Sequence, residues 1–317
     1  MIKKGVRFLN NIVKENRSLI IVYSILLLLF IISSFSSDIF LTSRNIHNML
    51  RQGVILGLVC IGQTFVILGA GLDLSVGSVI SLTSCLTTGL IMGRDSMAIP
   101  VVILVLIIAL AIGFLNGFII TRTGVPPLIV TLGTMTIIQG SVLLYTDCPY
   151  GELCNSLRFI AWGKIGFITY PVLLLAIAFI AGSFVLNKTT FGRNIYAVGG
   201  NEETARLSGI KTDWVKIRTY MLCSFTAALA GLMMACRMGM GDPVAGEPFM
   251  LDSLVPVLIG GTALTGGKGG LMGTLAGLFI LTILNNILNL LDVSSYVQWV
   301  IQGSIIIVSV IFYSYKE

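Results

Sequence analysis

Asp73 stands between two long runs, 52–72 and 74–93, that hold no other charge. A carboxylate at the centre of a bilayer costs about 2.5–3.5 kcal/mol on insertion scales, so it belongs in a protein interior with polar partners. Gly71, Ser75, Gly77 and Ser78 surround it. Those residue types break one helix and start the next, with Asp73 or Ser75 as the cap. The other use for a lone intramembrane carboxylate is a gate or a contact to something transported.

A second set of polar side chains lies inside apolar runs: Gln63, Thr64, Asn116, Gln139, Asn285, Asn286 and Asn289. Amides are expensive in lipid, so these face the interior. Asn285 and Asn289, at i and i+4, share a helix face. Such a set either touches a polar cargo or bonds neighbouring helices.

Other chemistries fail for want of residues. His47 is the one histidine, and no persuasive serine or carboxylate accompanies it for a triad or metal site. Cys60, Cys85, Cys223 and Cys236 lie in or at the ends of apolar segments and read as packing residues. Cys148 and Cys154 share the stretch 147–164, where an oxidising compartment would permit a disulfide. No CxxC metal spacing occurs. Gly266-Gly267-Lys268-Gly269-Gly270 is not a phosphate loop, because Thr262 replaces the first glycine and Gly269 follows the lysine. It reads as a tight turn, and the chain has no ATP site of its own.

The elements that must hold these residues follow from composition. Of 317 residues, 56% are hydrophobic and 11% charged, against about a quarter charged in soluble proteins. Mean hydropathy is +0.97. This excludes a soluble enzyme and a disordered chain. The net charge of +6 is scattered between apolar runs, which excludes nucleic-acid binding. Ten stretches lack any charge: 18–37, 52–72, 74–93, 96–121, 123–146, 165–187, 219–236, 253–267, 269–291 and 293–315. About 20 helical residues cross a bilayer, so most suffice, while 253–267 reaches only about 22 Å. The expectation is an all-α polytopic protein of about ten spans, or nine and a half.

The first run lacks a small-residue cleavage site and reads as a retained helix behind Lys3, Lys4, Arg7, Lys14 and Arg17. With that end inside, fourteen Lys and Arg fall inside and six outside, as the positive-inside rule asks. The outside six are Arg44, Arg51, Arg94, Arg158, Lys164 and Arg237, of which Arg44 and Arg51 sit awkwardly. Ile46, Met49, Leu50 and Gly53 recur there at helical spacing. This predicts a short interfacial stretch capped by Ser43 and leading into the second span. Gly269, Gly273 and Gly277, and likewise Gly113 and Gly117, form ridges for close helix contact. Leu251-Asp252 repeats Leu72-Asp73 at the start of a later apolar run, which fits two inverted halves.

One inside segment is long, 188–218. Within it Asn201 is a good N-cap, Glu202 and Glu203 suit the first turn, and Gly209 suits the left-handed cap. A helix of two turns is unstable alone and must dock, on its own chain or on a partner. Ala205 and Ser208 are small enough to admit a partner, and Leu207 and Ile210 offer apolar contact.

The stretches GLDLSVGS (71–78), FGRNIYAVGGNEETARLSGI (191–210), LIGGTALTGGKGG (258–270) and LNNILNLLDVSSYVQ (284–298) carry a resemblance. The chain resembles, from about Leu19 to Ile311, the membrane permeases of bacterial ABC importers for monosaccharides and autoinducer-2. The last stretch is similar to the ribose branch in particular, whereas the outer segment with Cys148 and Cys154 departs from it. The resemblance implies a type II importer-like fold with a single permease domain, 1–317, in the bacterial inner membrane, both termini cytoplasmic. It implies a second permease copy or paralogue, ATP-binding cassette ATPase subunits that hold ATP and Mg, and an extracytoplasmic sugar-binding protein. It also implies that Gly199, Gly200, Asn201, Glu202, Ala205, Arg206 and Gly209 form the coupling helix that sits on the ATPase. The pathway candidates are Gln63, Asp73, Ser75, Asn116, Asn285 and Asn289. The implied cargo is a ribose-like sugar, with autoinducer-2 or another small polyol or nucleoside as the alternative. A stand-alone secondary transporter is the rival class; it would bury several ionisable residues, and Asp73 is nearly alone.

Overall fold

The computed structural model describes residues 17–166 and 168–314. Lys3, Lys4, Arg7, Lys14 and Lys316 lie outside the described residues. The chain runs α1 (Arg17–Ser36), α2 (Ser43–Leu68), α3 (Val76–Ile91), α4 (Ala98–Thr123) and α5 (Pro127–Tyr145). Next come α6 (Asn155–Trp162), a two-strand antiparallel hairpin of β1 (Lys164–Ile165) and β2 (Ile168–Thr169), and α7 (Tyr170–Lys188). Then follow α8 (Thr190–Gly200), α9 (Glu202–Leu207), α10 (Thr212–Met238), α11 (Phe249–Asp252), α12 (Leu254–Ile259), α13 (Leu271–Leu290) and α14 (Ser295–Ser314).

Seven helices among the described residues are long and apolar enough to cross a membrane: α1, α2, α4, α5, α7, α10 and α13. Two shorter apolar segments, Val76–Ile91 and Phe249–Ile259, accompany them. The protein is therefore an all-α multi-pass membrane protein. Its centre is α2 with α10, whose apolar windows are 83% and 78% buried, against 11% for α1 and 17% for α5. The outer helices turn apolar side chains such as Leu27, Ile107 and Ile137 outward, as lipid solvent allows.

Close backbone approach replaces the hydrophobic drive that helices lack inside lipid. A Cβ on Gly113 would lie 2.5 Å from the Tyr220 carbonyl oxygen, and one on Gly117 would lie 2.6 Å from Ile217 Cα. The predicted ridge on α4 thus meets α10. On α13, Gly273 and Gly277 meet the Gly260 and Pro256 carbonyls of the α12 segment in the same way. Gly269 lies before that helix and takes no part in the ridge.

Several expectations are corrected. Thr42, not Ser43, caps α2, accepting the Asn45 N–H at 3.4 Å. The stretch after it is no separate interfacial helix but the first turns of α2. Its buried residues, Asn45 and Met49, pack on the protein, and Asn45 exchanges amide hydrogen bonds with Asn286 at 2.9 and 2.8 Å. The run 253–267 is helical only to Ile259 and then turns. The segment 188–218 is mostly helix: α8 fills its start, and α10 begins at Thr212. Cys148 is exposed and Cys154 buried, and both are free thiols.

Candidate functional site

The end of the molecule that carries α8 and α9 is built by capping. Asn201 turns the chain between the two helices, and its side chain accepts the Thr204 N–H at 2.8 Å. At the other end Gly209 takes φ +83°. The Gly209 N–H then reaches the Arg206 carbonyl, and the Ile210 N–H reaches back to the Ala205 carbonyl at 3.1 Å. That is the Schellman closure, which needs a left-handed residue at this position. Glu202 salt-bridges Arg206 at 3.5 Å and is also paired with Lys216 on α10. Both ends and one flank of this six-residue helix are therefore fixed.

The outer face is free. Leu207 is 84% exposed, while Ala205 is buried against the chain. Ala205 thus seats the helix on its own protein, and the surface offered outward is Leu207 with Glu203 and Arg206.

Gly199 and Gly200 lie before that helix, at the last turn of α8. Gly199 packs on the Leu68 carbonyl at the end of α2, and a Cβ on Gly267 would stand 2.8 Å from Gly200 Cα. The Gly267 N–H donates to the same Leu68 carbonyl at 3.0 Å. Tyr196 on α8 donates its hydroxyl to the Gly269 carbonyl at 2.9 Å. The Gly-Gly-Lys-Gly-Gly turn therefore seals α8 to the end of α2, a contact that its reading as a tight turn does not foresee.

Beyond Leu68 the chain breaks until α3. Asp73 is wholly buried. Its Oδ1 accepts the Ser75 N–H at 2.9 Å and the Ser75 hydroxyl at 2.6 Å, an Asx-turn that sets the residue before α3. Ser75 holds the N-cap position and neither side chain caps the helix, contrary to expectation. The Asn116 amide donates to Ser75 Oγ at 3.0 Å and its carbonyl accepts Thr134 at 2.6 Å. Gln63 donates to the Asp73 carbonyl and, at 3.4 Å, to Ser253 Oγ. Gln63, Asp73, Ser75 and Asn116 therefore form one buried network that joins α2, α3, α4, α5 and the α11–α12 break. Ser253, which sequence reasoning missed, completes it; its one signal was the neighbouring Leu251-Asp252 pair.

Asn285 and Asn289 stand apart from that network. They accept from Gln302 at 3.3 Å and Gln298 at 2.8 Å, tying α13 to α14. Gln139 donates to the Pro243 carbonyl at 2.9 Å, and Thr64 pairs with Thr274 at 2.9 Å. Each of these side chains bonds another element of the chain. No group of three metal-ligating side chains occurs among the described residues.

Comparison with known proteins places this arrangement. Residues 45–310 match the family described as branched-chain amino acid transport system / permease component. The chain is 43% identical over 292 residues to the ribose import permease protein RbsC of Bacillus subtilis (strain 168), covering 90% of this chain and 89% of that one. It is 38% identical to the ribose import permease protein RbsC of Haemophilus influenzae, covering 95% and 93%. It is 35% identical to the D-allose transport system permease protein AlsC of Escherichia coli (strain K12), covering 88% and 86%. No solved structure matches. With residues 45–310 matched, the chain belongs to the branched-chain amino acid transport system permease component family.

Proposed function

We propose that residues 1–317 form one permease domain of an ABC importer in the bacterial inner membrane, with a ribose-like monosaccharide as cargo. The observation that carries this reading is the Asn201–Gly209 helix: locked at both ends, backed by Lys216, and exposing Leu207. A short rigid knob is what an ATPase can push. The partners are ATP-binding cassette ATPase subunits, which bind ATP and Mg, an extracytoplasmic sugar-binding protein and a second permease. The hydrolysis belongs to the ATPase; this chain holds no cofactor.

Ten spans is the finer reading, reached when α3, the α11–α12 segment and α14 join the seven long apolar helices. Loop packing supports the alternation this demands. Tyr150 bridges Gly241, Asp95 accepts from Ser156, and Arg51 lies over Trp162, all expected outside. Gly199, Gly267 and Leu68 meet at the opposite expected side. Two inverted halves are supported by Gln63, which touches the backbone of one Leu-Asp break and Ser253 beside the other.

The sugar rests on the names of the relatives, and ribose permeases are the more similar of those given. The test is uptake of labelled ribose into vesicles holding the co-purified complex and a ribose-binding protein. Uptake should require ATP. Uptake by the chain alone, driven by an ion gradient without ATP, would establish the secondary transporter instead.

A further inference from the structure

Two arginines on the expected outer side, Arg51 of α2 and Arg237 of α10, line one pocket of about 210 Å³ together with Asn48, Gln52 and Trp162. No carboxylate lines it, and neither arginine belongs to an ion pair among the described residues. Arg51 Nε is buried without a hydrogen-bond partner. Its guanidinium lies 4.8 Å from the centre of the Trp162 ring, a contact that orients the cation without neutralising it. The chain thus gathers two like charges where the positive-inside rule disfavours any. The buried Nε of Arg51 belongs to a charge drawn partly out of water, and with no carboxylate in the pocket its opposite charge must come from another molecule.

The surroundings say which anion. The pocket's other wall is apolar, with Ile55 and Met233. Beside it, α6 and the β1–β2 hairpin expose Phe159, Trp162, Ile165 and Ile168, each more than half exposed. An apolar apron with a tryptophan at its edge is a surface for the bilayer interface, not for water. We infer that this pocket binds the phosphate of an anionic phospholipid headgroup in the outer leaflet, on Arg51 and Arg237, with the acyl chains along the apron. Asn48 and Gln52 supply amide groups to the rest of the headgroup. Arg51, which sits against the topology rule, is then a ligand-holding residue. The site does not depend on what is transported.

The test uses the purified full-length protein in neutral detergent, with native mass spectrometry and thermal unfolding. Added phosphatidylglycerol should be retained and should raise the melting temperature, while phosphatidylcholine should do neither. Each guanidinium removed, in R51Q or R237Q, should weaken retention roughly fivefold. R44Q, an exposed arginine outside the pocket, should change nothing. R51K should keep more binding than R51Q, a difference that misfolding would not produce. Equal retention by wild type and R51Q/R237Q would overturn the site. Protection by inorganic phosphate, with no added effect of phosphatidylglycerol, would overturn the lipid assignment.

Discussion

Gly199 Cα rests so close to the Leu68 carbonyl that a Cβ would lie 1.8 Å from its oxygen. The Gly267 N–H donates to that same oxygen. Three parts of the chain, the end of α8, the end of α2 and the α12–α13 turn, therefore converge on one backbone atom. In that contact Gly199 lies two residues before the Asn201 cap of α9, and Leu68 lies five residues before Asp73.

Gly199→Ala and Gly200→Ala separate this contact from mere helix propensity. A methyl group at 199 must push backbone away, whereas one at 200 meets nothing within 4 Å. Forcing atoms into a packed site costs about 1–3 kcal/mol. Thermal unfolding in detergent should show a clear loss for Gly199→Ala and little change for Gly200→Ala. Equal shifts would mean that the contact carries no strain.

Gly209 tests the knob itself. A β-branched side chain at φ +83° is strained, by about 1–2 kcal/mol, whereas asparagine tolerates that region. Gly209→Val should leave the protein in the membrane but lower uptake per ATP hydrolysed, and Gly209→Asn should restore most of it. Normal coupling in the valine variant would show that the Schellman closure is dispensable.

Local chemistry explains how much was readable beforehand. Asn201 and Gly209 were legible because a cap depends on a few consecutive residues. The spans were legible because lipid imposes length and apolarity on each one separately. Helix α8 had a signal, Phe191, Ile195 and Val198 at helical spacing, but it lay inside a segment weighed as a loop. Thr42 and Ser43 are adjacent cap-formers, and composition does not rank them. The meeting of Gln63 with Ser253, 190 positions away, and of Arg51 with Arg237, is set by tertiary packing that no local pattern encodes.

Tyr196 offers a gentler probe of the junction. Burial pushes its phenol above the ordinary value of 10.0, so the hydroxyl stays a donor throughout the physiological range. Its stabilising contribution is present in full below about pH 10 and is lost as pH rises through the raised value. Tyr196→Phe removes the bond to Gly269 and keeps the ring. It should cost about 0.5–1.5 kcal/mol, by an amount constant from pH 6 to 9 in unfolding experiments. A cost that varied across that range would assign the effect to another group.

Asp73 separates a structural acceptor from a working charge. Its Oδ1 accepts both donors of Ser75, and an asparagine carbonyl in the same place accepts them too. Asp73→Leu accepts neither, and it leaves the Ser75 N–H without its partner in a buried site. The stranded donor costs about 1–3 kcal/mol. Membrane abundance and melting temperature should therefore stay near wild type in Asp73→Asn and fall in Asp73→Leu. Uptake then decides the role. If Asp73→Asn transports normally, the residue is the acceptor that holds Ser75 before α3 and against Asn116 of α4. If Asp73→Asn is stable, assembled and inactive, the negative charge itself takes part in opening the pathway, and the break is a gate.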